Sequence, residues 1–136
     1  MTIKHGTLYY LASPYSHADA TVRQARASLA EKAAVDLLHF GIYVFAPIPY
    51  NHPWEKYNVP GHWDFWADFD KTFVSRCDGV IILTLDGWDR SKGVTAELDF
   101  AKENNIPVYY LSLEQIAKGD IDHIPLSRQD NKAALV

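Results

Sequence analysis

The run Val80-Ile81-Ile82-Leu83-Thr84-Leu85 is the most apolar stretch of the chain and constrains the fold more than any other feature. It is too short for an ordinary helix and rich in β-branched residues, so it reads as a buried strand. A helix is expected to follow. Ser91 is placed to cap it, Gly93 permits close backbone approach, and Val94, Leu98 and Ala101 recur at helical spacing. At about 100° per residue, Glu97 falls on that apolar arc, between Phe100 and Ala101, whereas Asp99 and Glu103 project to the opposite side. A carboxylate is thus aimed inward.

Composition narrows what such a chain can do. With 136 residues, 48% of them hydrophobic, residues 1–136 suffice for one domain with a real core and are too few for two. The net charge of -4 and the scattered lysines and arginines supply no basic stripe, which argues against a nucleic-acid polymer as partner. The single cysteine, Cys77, excludes an internal disulfide and sits in an apolar helical stripe, where a buried thiol is expected. No run approaches a membrane span and the opening residues lack the apolar core of a signal peptide, so a cytoplasmic protein is expected.

Along the chain, Thr7 to Ala12 reads as the first strand and Ser13-Pro14-Tyr15-Ser16-His17 as the loop leaving its C-terminal end. Open α/β sheets bind ligands at that end. Asp19 is placed to cap a helix from about Ala20 to His39, with Val22, Ala25, Leu29, Ala33 and Leu37 as its buried face and Gly41 as its stop. Arg23 and Arg26 lie in its first two turns, where cations oppose the helix dipole. A bound anion explains that placement, and so does simple solvation of either arginine. Ile42 to Ala46 is the second strand. The segment from Pro47 to about Gly61 then reads as a long loop rich in proline and aromatics, a wall over a pocket whose rings stack on a planar ligand or pack onto the core. His52 and His62 lack ligand-spaced partners, so neither a metal nor another cofactor is expected.

His62 to Cys77 has the pattern of a third helix, in which Trp66, Phe73, Val74 and Cys77 form an apolar stripe containing Asp70. Asp64 and Asp68 fall on the far face near the helix start, where acids favour the dipole. Asp70 instead requires a partner, a proton or a pocket, because an unpaired buried carboxylate is costly. Ile106 to Leu111 is the fourth strand, Leu113 to Lys118 a short helix, and residues 120–136 a polar, partly flexible tail. The alternation of strand and helix predicts a three-layer, doubly wound α/β domain, Rossmann-like or flavodoxin-like. Its parallel sheet has four to five strands in the order 2-1-3-4. In that order Tyr10, Ser13, Ser91 and Glu97 surround one crevice.

Two inward carboxylates, a tyrosine at a strand end and a helix N-terminus suit cleavage at an acetal-like carbon, although structural ion pairs also place acids on inner faces. The residues that carry this chemistry also carry a likeness. Tyr10-Leu11-Ala12-Ser13-Pro14-Tyr15, then Asp70 eight residues before Asp78-Gly79-Val80-Ile81, then Ser91-x-Gly93-Val94-x-x-Glu97, resembles the nucleoside 2-deoxyribosyltransferase superfamily, which includes nucleoside 5'-monophosphate N-glycosidases. The resemblance spans roughly Leu8 to Leu111. It implies that Glu97 is the nucleophile on the anomeric carbon, that Tyr10 orients it, and that Asp70 holds the sugar or assists departure of the base.

Ser91 separates the members of that superfamily. The transferases carry an acid six residues before the nucleophile, where it meets the 5'-hydroxyl; the monophosphate N-glycosidases carry a serine that contacts phosphate. A neutral hydroxyl at a helix start tolerates a dianion better than a carboxylate does, and capping is compatible with that contact. The resemblance therefore implies hydrolysis of a nucleoside or deoxynucleoside 5'-monophosphate. Ser13, Arg23 and Ser91 are phosphate candidates, and Gly93, His52 and Trp88 are further substrate contacts. Base exchange between deoxynucleosides and a nucleotide-sensing module without catalysis are the alternatives. The Asp86-to-Arg90 segment and the Pro47-to-Gly61 loop resemble a branch of small proteins with the same Ser-Pro-Tyr and Gly-Trp-Asp signatures. Related proteins are commonly homodimers or larger, which sets the expectation of a homo-oligomer.

Overall fold

The structure, a computed structural model, describes residues 5–128. The apolar run forms β3 (Gly79–Leu83), all five of whose residues are buried. It lies inside a four-stranded sheet with β1 (Leu8–Ala12), β2 (Tyr43–Phe45) and β4 (Val108–Leu111). Every pairing is parallel and the order is β2-β1-β3-β4. The doubly wound α/β fold expected from the alternation of elements is therefore present. Because β1 and β3 are neighbours whose connections run to opposite edges, the loops leaving their C-terminal ends part and open a crevice.

Alternation along the strands separates two cores. Tyr9, Leu11, Ile81 and Leu83 face α1 (Ala20–His39) and α5 (Leu113–Lys118); Tyr10, Ala12, Val80 and Ile82 face α3 (Trp63–Val74) and α4 (Lys92–Glu103). Asp19 caps α1 by accepting from the Thr21 amide at 2.8 Å, as its position suggested. The buried face of α1 differs from the expected one. Ala27, Ala30, Ala33 and Leu37 are buried, whereas Ala25 is exposed and Leu29 is 41% exposed. This helix carries apolar residues all round its circumference, so spacing alone does not fix its orientation; three alanines let it lie close to the sheet.

Two segments are more structured than the sequence suggests. The stretch after β2 folds into α2 (Pro47–Asn51) and a 3-10 helix (His52–Tyr57), each with a proline in its first turn. Proline there gives up only an amide that would be unpaired anyway and presets the backbone angle. The chain from Asp120 to Arg128 is also anchored. Ile121 and Ile124 enter the core, the Tyr9 hydroxyl donates to the Pro125 carbonyl at 2.7 Å, and the Tyr43 amide donates to Ser127 Oγ at 2.7 Å. Two isoleucines three apart supply the burial that the polar neighbours concealed. The rest of the expected flexible tail, residues 129–136, lies outside the described residues. Among the described residues no helix is long and apolar enough to cross a membrane.

Candidate active site

The crevice beside β1 and β3 is a cavity of about 1130 Å³. Ser13 enters it from the end of β1, Asp70 from α3 and Glu97 from α4. The N-terminal turn of α4 contributes Ser91, Lys92 and Gly93, and α2 with the following 3-10 helix forms a cover through Asn51, His52 and Glu55. Among the described residues no three His, Cys, Asp or Glu side chains gather as a metal centre would require.

At its floor, the helical spacings read from the sequence have the predicted consequence. Asp70 and Glu97 are 9% and 4% exposed, and Tyr10, fully buried behind them, donates its hydroxyl to Glu97 Oε2. Burial raises the Asp70 carboxyl to about 6, against the opposing pull of hydrogen bonding to Glu97 and Tyr10. Burial also pushes Glu97 well above the usual carboxylate range, and the Asp70 charge adds to the rise, whereas the Tyr10 hydrogen bond works against it. The Tyr10 hydroxyl is raised as well, by burial first and by Glu97 second. Both carboxyls are thus displaced upward and titrate as one interacting pair, in which a proton is held more firmly than on either group in water.

Above this floor, Ser91 caps α4, its Oγ accepting from the Val94 amide at 3.2 Å. A Cβ added to Gly93 would stand 3.5 Å from the Trp63 ring, an ordinary contact, so packing does not dictate glycine there. Its absence leaves the first turn of the helix open to the cavity, where helix dipole and amides favour an anion. Two polar atoms lining the cavity, Ser13 Oγ and Asn51 Nδ2, are buried without a partner among the described residues. Buried polar groups are normally bonded, so these two are free to meet a ligand.

The remaining predicted contacts are divided. Arg23 reaches the cavity but is engaged, its Nε pairing with Glu55 Oε1 at 2.7 Å and its Nη1 donating to the His17 carbonyl at 2.6 Å. His52 lines the cavity with both ring nitrogens occupied, Nδ1 by the Tyr15 hydroxyl at 2.6 Å and Nε2 by Gln24 Oε1 at 2.8 Å. Tyr15 donates its one proton to Glu55, so that one network fastens the cover to α1 and to the loop after β1. Trp88 is not brought into the cavity. Its ring meets Tyr110 edge-on at 5.6 Å and packs against the α3/α4 core, because the 3-10 turn Trp88–Arg90 directs it toward β4. Cys77 is buried in that same core, its thiol raised to about 11 by burial, as suits a packing residue.

The sequence reading missed Trp63 and Trp66 as cavity walls, although their spacing places both on the Asp70 face of α3. It also missed Asn51 and Glu55, which no local pattern distinguishes from surface polar residues, whereas Arg26, named with Arg23 for its place in the first turns of α1, does line the cavity. Most aromatics of the cover pack on one another and on α3. Trp54 meets Trp66 and Phe69, and Tyr50 meets Phe45. A search of curated proteins finds no match to the chain. A family model does match it, over residues 7–113, a span that holds Tyr10, Asp70, Ser91 and Glu97, and the chain therefore belongs to the family described as domain of unknown function DUF1937.

Proposed function

We propose that the protein hydrolyses the N-glycosidic bond of a nucleoside or deoxynucleoside 5'-monophosphate through a glycosyl-enzyme intermediate on Glu97. The observation that carries this reading is the Tyr10–Glu97–Asp70 cluster, two buried carboxyls and a phenol at the floor of a cavity large enough for a nucleotide. Burying two acids together costs stability, and a reaction that moves a proton and a glycosyl group between them gives that cost a use.

The reaction starts with Glu97 ionised and a proton on Asp70. The Glu97 carboxylate then attacks the anomeric carbon while the C–N bond breaks, and the base leaves with the bond's electron pair and the proton from Asp70. Water next attacks the anomeric carbon of the ester, giving its proton to Asp70 and releasing the sugar phosphate and Glu97. Tyr10 holds the attacking carboxylate in place throughout. Ser13, Ser91 and the open first turn of α4 are assigned to the phosphate, and the cover with Asn51, His52, Trp63 and Trp66 to the base and sugar. A cytoplasmic homo-oligomer is part of the same proposal, and exposed Val35 and Leu38, three residues apart on one side of α1, offer apolar area for assembly.

The test is chromatographic detection of free base after incubation with each ribo- and deoxyribonucleoside and its 5'-monophosphate, with and without an added acceptor base. Release from a monophosphate without acceptor is expected. Product only with an acceptor would make the protein a base-exchanging transferase. Thermal stabilisation by nucleotides without any product would make it a binding module.

A further inference from the structure

Four cationic side chains line the cavity: Arg23, Arg26, Arg90 and Lys92. Three of them have carboxylates beside them. Arg23 pairs with Glu55 at 2.7 Å, Arg90 lies 3.8 Å from Asp86 and 3.7 Å from Asp89, and Lys92 lies 3.8 Å from Asp64. Arg26 has no carboxylate partner among the described residues. Its Nη1 donates to the Ser16 carbonyl at 2.9 Å and its Nη2 to the Asp86 carbonyl at 3.4 Å, so it joins the loop after β1 to the loop after β3. A guanidinium has five N–H donors, and three of these remain.

Gly87 explains how the guanidinium reaches this position. Its φ of +92° is one that side chains rarely adopt, and a Cβ there would stand 2.7 Å from Arg26 Nη2. The loop is thus shaped to let Arg26 lie directly on it, a few residues before the N-terminus of α4. The unpartnered Ser13 Oγ, in a residue only 5% exposed, opens onto the same cavity. The guanidinium, the Ser13 hydroxyl and the first turn of α4 come from three elements and converge on one cavity.

We propose that Arg26, and not Arg23, is the cation that receives the anionic end of the ligand, acting with Ser13 and the first turn of α4. This rests on the reading of the substrate as a phosphate monoester. Arg23 and Glu55 form a neutral pair that fastens the cover and contributes no net charge to the anion. Arg26 brings an uncompensated charge and a planar fork suited to two phosphate oxygens. A phosphate held there also touches both loops at the switch point.

The experiment is titration calorimetry in a Glu97→Gln background, which prevents turnover, comparing each nucleoside with its 5'-monophosphate. The protein is expected to prefer the monophosphate. Arg26→Gln, which keeps a donor for the Ser16 carbonyl, is expected to reduce that preference about tenfold or more while leaving affinity for the nucleoside unchanged. The double change Arg23→Gln with Glu55→Gln removes the other pair as a neutral unit and is expected to leave the preference intact. Should Arg26→Gln fail to fold, Arg26→Lys keeps the charge, loses the fork and is expected to lower the preference by a smaller factor. A preference that survives the Arg26 changes and is lost in the double variant overturns the assignment while leaving the substrate class standing. Absence of any preference for monophosphates before these changes overturns both.

Discussion

Tyr9 and Tyr10 are adjacent on β1 and equally buried, yet strand alternation sends their hydroxyls to opposite layers with different partners. Tyr9 donates to the Pro125 carbonyl and so fastens the C-terminal segment over the α1 side of the sheet. Tyr10 donates to a carboxyl that burial and a second acid hold far above its usual range. A phenol on a main-chain carbonyl completes a fold, and there is no proton to contest. A phenol on one of two interacting buried carboxyls lies where a proton is shared, and the proposed mechanism makes that carboxyl the nucleophile. On the proposed function, neighbouring residues of one type thus take a structural and a chemical part, and the partner atom decides which.

The comparison breaks most visibly at Glu97. Glu97→Gln is expected to lower turnover about a thousandfold or more with the fold retained, measured as base release beside a circular dichroism spectrum. Tyr10→Phe is expected to lower kcat about ten- to a hundredfold. It also removes the hydrogen bond that opposes the rise of the Glu97 pKa, so the acidic limb of the pH–rate profile should move upward. A rate and limb unchanged in Tyr10→Phe would reduce Tyr10 to a packing residue like its neighbour.

Stability should respond in the opposite sense to activity. The Asp70 carboxyl is raised from 3.8 to about 6, so the folded protein binds more protons than the unfolded chain between those values. Any stability this group contributes is fully present below about pH 4 and is lost as pH rises through about 6. Asp70→Asn should therefore gain on the native protein across that window, by on the order of 2 kcal/mol at neutral pH, in urea unfolding at a series of pH values. A gain that is independent of pH would contradict the assignment. The smallest effect belongs to Tyr9→Phe, which leaves the Pro125 carbonyl unpaired. A loss of about 1 kcal/mol with unchanged turnover is expected, seen as a Tm lower by a few degrees.

Much of this contrast was legible in the sequence, because it depends on period. Alternation fixes which way Tyr9 and Tyr10 point, and the 3.6-residue period puts Asp70 and Glu97 on inner faces. The strand order followed from one buried run and the spacing of strands and helices. Where the period is uninformative, the reading failed. Alanine-rich α1 carries apolar residues on every side, and of the expected face Ala33 and Leu37 are buried whereas Ala25 and Leu29 are exposed. The cover reads as a loop because it is rich in proline, although Pro47 and Pro53 stand in the first turns of helices, where proline is accepted. Arg23 and Arg26 sit three residues apart on one helix and are indistinguishable in sequence. Only Glu55 and Gly87, brought to them by the fold, separate their roles.

The central claim, cleavage through a sugar ester on Glu97, is tested most directly by proton NMR of the native protein turning over a nucleoside 5'-monophosphate in water containing methanol. Methanol competes with water for the ester and gives a methyl glycoside whose anomeric configuration does not interconvert. Two displacements at one carbon predict free base together with a methyl glycoside 5-phosphate of the same configuration as the substrate. The inverted glycoside, or no base from any monophosphate, would contradict the account.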